Sequence, residues 1–345
     1  MRSRFYPPAK STSIRVLHDE DVFHRLLSKA EPWILLDEGV PLPFELEGRG
    51  LHAVAGGEHG KRWAELEKIL EWLAQGKAER SQPLLVVGGG AVLDLGALAA
   101  SLFKRGMPLI LVPSTLLGMV DATLGGKTAV DMENEGQLLK NFAGTFYPAS
   151  EVWLYPDLLS TLPLRERISG AGEVYKTLWI RGGKWKQDAL LDYVRTGQAG
   201  GALLKLVKEC LAFKAKVVER DPLDDKRIRE VLNFGHTAGH ALESASGLSH
   251  GECILWGMAV ESFLLASQPM LRECIGAISD LGLTLPKAFD GKTEWEKFLS
   301  ADKKIKGGKV EMSLLRAPGK IVRKKFSLAQ VAGALRAFPE YVLRA

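Results

Sequence analysis

From about residue 31 to residue 155 the chain alternates short apolar runs with longer amphipathic ones. Trp33-Ile34-Leu35-Leu36, Leu84 to Val87 and Leu109 to Val112 read as strands, while the periodic segment Trp63 to Leu73 and the stretch Ala91 to Phe103 read as helices. Strands interleaved with helix-length segments predict βαβ units and a mostly parallel sheet, an α/β domain. From Arg165 onward, long amphipathic stretches over 186–196, 202–219, 226–245 and 251–267 follow one another with few strand-like runs, which predicts a mainly helical, all-α half. The texture changes at the Pro-bearing stretches Tyr155-Pro156-Asp157 and Thr161-Leu162-Pro163, so the expected domains are 1–160 and 161–345. No internal repeat is visible.

Composition narrows the class. The 345 residues carry 46 Lys+Arg against 41 Asp+Glu and are 46% hydrophobic, which excludes disordered, collagen-like and disulfide-scaffold chains. The three cysteines, Cys210, Cys253 and Cys274, lack CxxC spacing; they form no zinc cluster and fit a reducing, cytoplasmic compartment. The start, MRSRFYPPAKSTSIRVLHDED, has no apolar segment behind its basic residues, and no run of 18 apolar residues occurs, so a soluble protein with no targeting segment and no membrane partner is expected. The surplus of five positive charges gathers on no single basic face, which argues against nucleic acid and is compatible with a small anionic substrate. Most of Lys303, Lys304, Lys306 and Lys309 read as a solvated face.

Three segments carry candidate chemistry. Leu84 to Asp94 runs an apolar strand into Gly88-Gly89-Gly90 and then a helix-like stretch, where bare backbone and a helix N-terminus can approach a pyrophosphate, although turns need glycine anyway and the spacing is not GxGxxG. Asp37, closing the strand Ile34 to Leu36, can accept from a ribose or simply shape a turn. Gly125-Gly126-Lys127-Thr128 has the end of a P-loop but lacks its first glycine, so Walker A is rejected; a lysine between glycines still suits a phosphate or carboxylate, with Asp121 near enough to orient it.

The third constellation is Arg229, Asn233, His236 and His240, spaced by four, three and four residues, so that on one helix they share a face, with a net drift of about 20° after three turns. Fourteen residues after His236 comes His250, and Glu173 lies on an earlier predicted helix with Lys176 three residues on. Histidines and a carboxylate from separate elements are what a catalytic divalent metal requires, though two histidines four apart can equally be a surface or core pair.

Together these segments resemble the 3-dehydroquinate synthase family, within the wider sugar-phosphate cyclases. The likeness runs from about Asp37 to about Leu315 and is densest over Gly88–Asp94, Val112–Thr128, Thr161–Lys176 and Lys214–Met258. It implies an N-terminal Rossmann-like nucleotide-binding domain, a C-terminal helical metal- and substrate-binding domain and, as usual in the family, a homodimer. The implied reaction converts 3-deoxy-D-arabino-heptulosonate 7-phosphate to 3-dehydroquinate and phosphate in the shikimate pathway. The C5 alcohol is oxidised, phosphate is eliminated, C5 is reduced again and the ring closes by aldol addition, so NAD is catalytic. A divalent metal, zinc or cobalt, acidifies the C5 alcohol.

By position, the implied metal ligands are Glu173, His236 and His250, the last in a loop before a helix. The implied NAD contacts are Asp37, Glu58, Lys61, Gly89, Gly90, Asp94, Ser114, Thr115, Lys127 and Thr161. The groups implied to hold substrate are Asp121, Lys127, Asn141, Lys176, Lys214, Arg229, Asn233, His240 and one of Lys303 and Lys304, with Lys304 chosen for the site. Arg229 suits a multi-oxygen anion through its fork and the lysines suit point contacts. Lys127 is assigned to the phosphate side or the cofactor, Lys214 and Lys303 or Lys304 to the carboxylate end, and His240 to the phosphate or a proton relay.

Four features depart from the family pattern: Ser114 for a threonine, Ala122-Thr123-Leu124 for two serines and a β-branched residue, Asp131 for an asparagine, and a longer loop from Asp131 to Leu139. Gly172, where alanine is usual, is expected to cost about 1 kcal/mol of helix propensity and to touch no ligand. Three other readings compete: a cyclase of the 2-deoxy-scyllo-inosose or aminodehydroquinate synthase type, a metal-dependent polyol dehydrogenase, and a non-catalytic nucleotide-binding module. Arg229, Asn233 and Lys214 together favour a substrate bearing a carboxylate.

Overall fold

A computed structural model describes residues 11–134, 137–300 and 307–344; Lys303 and Lys304 lie outside the described residues. The chain divides into two compact units, the first ending at Leu162 and the second beginning at Pro163.

The first unit contains β1 (Ser13–Val16), α1 (Glu20–Ala30), β2 (Trp33–Asp37), β3 (Gly50–Val54), α2 (Trp63–Gln75), β4 (Leu84–Gly88), α3 (Gly90–Leu102), β5 (Leu109–Pro113), β6 (Lys127–Asn134), β7 (Gln137–Phe146) and β8 (Glu151–Leu154). Six strands form a parallel sheet in the order β1-β8-β5-β4-β2-β3. The central strands are continuous apolar runs because both faces are covered. Ile34, Leu85, Val87, Ile110 and Val112 pack with Phe23 and Leu27 of α1 on one side. On the other, Gly96 of α3 sits so close that a Cβ would fall 2.6 Å from Val86 and 2.9 Å from Leu35. The chain moves outward from β2 to β3 and then returns to lay β4 on the other side of β2, so the topological switch point lies between β2 and β4. Asp37 ends one of these strands and Gly88 the other.

Two parts of this unit differ from expectation. The edge strands β1 and β3 were not foreseen, because their exposed edge positions are polar or interrupted by glycine. The expected loop from Asp131 to Leu139 is instead part of an antiparallel hairpin of β6 and β7, in which Val130 pairs with Ala143 and Met132 with Leu139 across a register shift.

The second unit contains α4 (Leu164–Arg181), α5 (Asp188–Thr196), α6 (Gly201–Arg220), α7 (His236–Ser246), α8 (His250–Leu264), α9 (Gln268–Asp280), α10 (Trp295–Ser300), β9 (Lys309–Leu315), β10 (Ile321–Ser327) and α11 (Leu328–Arg344). The antiparallel β9–β10 hairpin was not foreseen in a half read as helical. Helix α8 is apolar all round and buried, and α4 and α7 pack against it through glycine. A Cβ on Gly172 of α4 would lie 2.1 Å from the Gly251 carbonyl oxygen, and one on Gly251 would lie 1.8 Å from the Ser169 oxygen. A Cβ on Gly257 would meet Gly235 O at 2.1 Å and Gly239 N at 2.6 Å. Gly172 is therefore a packing requirement, which corrects its reading as a mere propensity cost.

The single helix expected over 226–245 is also corrected. Arg229–Asn233 is a 3-10 turn, Gly235 turns the chain with φ 83°, and α7 starts only at His236. Two buried carboxylates hold this break. Glu261 of α8 accepts from the N–H groups of Gly235 (2.7 Å), Thr237 (3.1 Å) and Ala238 (3.2 Å), capping α7 from a neighbouring helix. Asp221 accepts from the N–H groups of Asp225, Lys226, Ile228 and Arg229 and so shapes the loop that delivers the 3-10 turn. Burial alone would raise the Asp221 pKa, but these backbone donors outweigh it and hold the carboxyl below its ordinary range.

Two stability predictions follow from these contacts. Helix propensity alone says that Gly172→Ala stabilises the protein by about 1 kcal/mol. The closeness of Gly251 says instead that it destabilises by about 1–3 kcal/mol through overpacking, and urea unfolding of the variant decides the sign. For Asp221, a depressed folded pKa gives stability that is fully present above its ordinary value of 3.8 and lost as the pH falls through the folded value. The stability gap between wild type and Asp221→Asn should therefore be constant from neutral pH to about 4 and shrink below it, whereas a pH-independent gap in urea titrations would contradict this account.

Candidate active site

In the second unit three helices bring a carboxylate and three imidazoles together. Glu173 projects from α4, His236 and His240 from the first two turns of α7, and His250 is the first residue of α8 rather than part of the preceding loop. Glu173 Oε1 lies 3.6 Å from His250 Nε2 and 3.9 Å from His236 Nε2. One ligand atom from each of Glu173, His236 and His250 can be chosen so that all three lie within 4.8 Å of one another. The ring centroids of His236 and His250 are 5.5 Å apart, and His240 stands 5.1 Å from the first and 5.8 Å from the second.

The convergence follows from the packing described above. Gly172, beside Glu173, touches Gly251, beside His250, and Gly235, beside His236, touches Gly257 on the same helix. Lys176, one turn beyond Glu173 and equally buried, forms an ion pair with Glu173 Oε2. His236 Nδ1 lies 3.3 Å from the Phe234 carbonyl, which directs Nε2 toward Glu173. Burial opposes a charge on His250, but the nearby carboxylates of Glu173 and Glu243 prevail and its pKa is pushed up to about 9.

The other expected substrate residues of this unit lie on separate elements. Arg229 and Asn233 are on the 3-10 turn, off α7, so the expected four-residue face reduces to His236 and His240. Arg229 is buried and its Nη1 donates to Pro222 O at 3.3 Å. Asn233 and Thr237 line a cavity of about 610 Å³ whose wall also includes Ser313 and Lys325 of the hairpin. Lys214 is buried on α6, which packs against α4.

In the first unit, the glycine turn at the end of β4 opens α3 at the switch point. A Cβ on Gly88 would press on Val92 (2.8 Å) and Asp37 (3.0 Å), while one on Gly90 would meet only Ala122 at 3.8 Å, leaving open space over the helix N-terminus. Asp37 is buried, accepts from Gly39 N at 3.0 Å and leaves no room for a Cβ on Gly56. Ser114 N donates to Gly88 O at 2.9 Å and Thr115 Oγ1 accepts from Gly118 N, which sets both residues beside the turn.

Lys61, buried before α2, donates to Asp94 Oδ2 and Asn141 Oδ1, each at 2.5 Å. Burial raises the Asp94 pKa, Lys61 opposes that rise, and the negative charges of Glu58 and Asp121 add to it, so these expected residues share one neighbourhood. Lys127 is exposed at the start of β6, and Thr161 bonds locally to Leu158 O at 3.4 Å.

Sequence reasoning missed Glu243, Glu261 and Asp221. A lone glutamate in the apolar run of α8 was a usable signal for Glu261. Glu243 stands two helical turns from His236, on the same face.

Comparison with known proteins agrees with these features. Residues 51–169 match the family model for the 3-dehydroquinate synthase N-terminal region and residues 170–305 that for the C-terminal region. The 3-dehydroquinate synthase of Pyrobaculum neutrophilum is 38% identical over 326 residues, covering 91% of each chain. Among solved structures, 2-epi-5-epi-valiolone synthase from Streptomyces hygroscopicus, with NAD+ and Zn2+ bound, superposes with a TM-score of 0.82 at 23% identity, covering 99% of this chain and 100% of that one. A 2-deoxy-scyllo-inosose synthase complexed with carbaglucose-6-phosphate, NAD+ and Co2+ gives 0.79 at 24% identity, covering 94% and 96%. With both halves matched and a relative so similar over nearly its whole length, the chain belongs to the 3-dehydroquinate synthase family.

Proposed function

We propose that this enzyme converts 3-deoxy-D-arabino-heptulosonate 7-phosphate to 3-dehydroquinate and phosphate, with catalytic NAD and one divalent metal ion, zinc or cobalt. The observation that carries the reading is the meeting of Glu173, His236 and His250 beside the buried ammonium of Lys176. The donor set fits such an ion: two imidazoles and one carboxylate leave a position open, and the 3.6 and 3.9 Å separations approach the roughly 3.4 Å edge of a tetrahedron with 2.0–2.1 Å bonds. The glycine turn before α3 and the acceptor Asp37 at the switch point fit a dinucleotide, whose pyrophosphate needs bare backbone N–H groups and whose ribose needs an acceptor. When bound, NAD supplies reversible hydride acceptance and the metal lowers the pKa of a hydroxyl it holds.

This chain's own residues bind and orient the substrate. Arg229, buried and held by the Asp221 loop, offers a fixed fork to a multi-oxygen anion. Lys214 and Lys176 supply point charges, Lys127 serves the phosphate end or the cofactor, and one of Lys303 and Lys304 the carboxylate. Asn233 adds an amide on the same turn as Arg229, and Asp121 and Asn141 add polar groups in the first unit. His240, exposed at one end of the imidazole cluster, is suited to hold or relay a proton at the phosphate. Glu58, Lys61, Gly89, Gly90, Asp94, Ser114, Thr115 and Thr161 are assigned to NAD with Asp37. The protein is read as a cytoplasmic homodimer. Its three buried cysteines are free, and among the described residues no helix is long and apolar enough to cross a membrane.

The deciding experiment incubates metal-loaded protein with substoichiometric NAD and the heptulosonate phosphate. Many phosphates should be released per NAD with no build-up of NADH absorbance; NADH accumulating without phosphate would mean a polyol dehydrogenase instead. His250→Ala should abolish both metal retention and turnover, and a variant that keeps either removes it from the ligand set. Arg229→Lys keeps the charge but loses the fork, so kcat/KM should fall roughly 10- to 100-fold, the worth of about 1.5–3 kcal/mol for a charge-assisted hydrogen bond.

A further inference from the structure

We infer that Glu243 is a positioning residue that fixes the tautomer and orientation of His250, an inference that rests on the reading of Glu173, His236 and His250 as the metal ligands. The two nitrogens of the His250 ring face two different carboxylates. Nδ1 lies 3.0 Å from Glu243 Oε2, a hydrogen-bond distance, while Nε2 faces Glu173 Oε1 at 3.6 Å. An ionised carboxylate only accepts, so Nδ1 carries the proton in this bond. An imidazole must be neutral to ligate, with one N–H and one lone pair, so in that state the lone pair is on Nε2, the atom turned toward Glu173 and His236. A carboxylate behind a ligating imidazole also raises its basicity and locks its rotation.

The placement follows from the helix that carries it. Glu243 is seven residues after His236 on α7, two turns along the same face, so one helix supplies a ligand and, two turns on, the partner that orients the next ligand. His250 begins α8, where no preceding turn restrains its ring; Glu243 supplies that restraint from outside. His240, Glu243 and His250 also approach within 4.8 Å of one another, so a second ion there, with Glu243 as its ligand, is the competing assignment. It would require His250 to bridge two ions as an imidazolate, with no proton left on either nitrogen.

The test measures Zn2+ and Co2+ binding to metal-stripped wild type, Glu243→Ala and Glu243→Gln by chelator competition, with stoichiometry, the Co2+ absorption spectrum and the urea midpoint followed in parallel. Wild type should bind one equivalent. Glu243→Ala should bind 10- to 100-fold more weakly with a shifted Co2+ spectrum, and Glu243→Gln, which keeps an acceptor oxygen, should recover most of the affinity and the spectrum. Should the alanine variant fail to fold, the glutamine variant compared with Glu243→Leu carries the same contrast. Wild-type affinity and spectrum in Glu243→Ala would overturn the positioning role while leaving the ligand set standing. Two equivalents in wild type and one in Glu243→Ala would overturn it in favour of the second ion. A wild type that binds no metal would remove the ligand reading itself.

Discussion

Helix α8 carries no side chain at Gly251 and Gly257, the two places where the backbones of α4 and α7 reach it, and the geometry of the histidine cluster depends on this. Ordinary helices pack with axes 8–10 Å apart because side chains intervene. Here a single methyl group at Gly172, Gly251 or Gly257 would collide with a carbonyl oxygen at 1.8–2.1 Å. Short side chains such as glutamate and histidine can converge on one point only if the backbones that carry them approach closely. The glycines next to Glu173, His236 and His250 supply that approach, and the cluster is as rigid as the helix contacts beside it.

The buried charges of the second unit fall into two kinds. Asp221 and Glu261 accept from backbone N–H groups, four in one case and three in the other, so each is tied to the chain conformation itself. Glu173 instead faces side chains: the Lys176 ammonium one turn along and the imidazoles of His236 and His250. A carboxylate bonded to backbone amides cannot turn toward an ion without unmaking the fold, whereas one paired with titratable side chains can exchange a proton on a partner for an ion. Residue type alone does not separate these roles, since all three are buried acidic residues. The partner chemistry does.

That distinction explains how much could be read from the sequence. Strands β2, β4 and β5 and helices α2 and α3 were legible, because burial produces continuous apolar runs and periodic helices; α1 and β8 were not read. Glu173, His236, His240 and His250 were legible as a set through spacing and family likeness. The continuous helix through Arg229 was misread because a four-three-four spacing carries no information about the bend at Gly235, which is imposed by Met258 and Ile254 of another helix. Asp221, Glu243 and Glu261 act through residues 4 to 26 positions away in the chain, most of them beyond the reach of any local pattern. Both hairpins went unseen because their strands mix apolar with charged and polar residues and so lack the continuous apolar runs that mark a sheet interior.

The hairpin of the first unit is tied by its own polar side chains to the segment before α2. Asp131, buried on β6, donates its N–H to Lys61 O at 2.9 Å and accepts from Asn141 N on Oδ1 at 2.7 Å. Asn141, held in the left-handed region at φ 51°, in turn accepts from Lys61 Nζ. Lys61, Asp131 and Asn141 thus close a ring of contacts midway along the hairpin, at its register shift. The Asp131 carboxylate therefore fixes the left-handed backbone at Asn141, whose side-chain oxygen in turn holds the Lys61 ammonium beside Asp94.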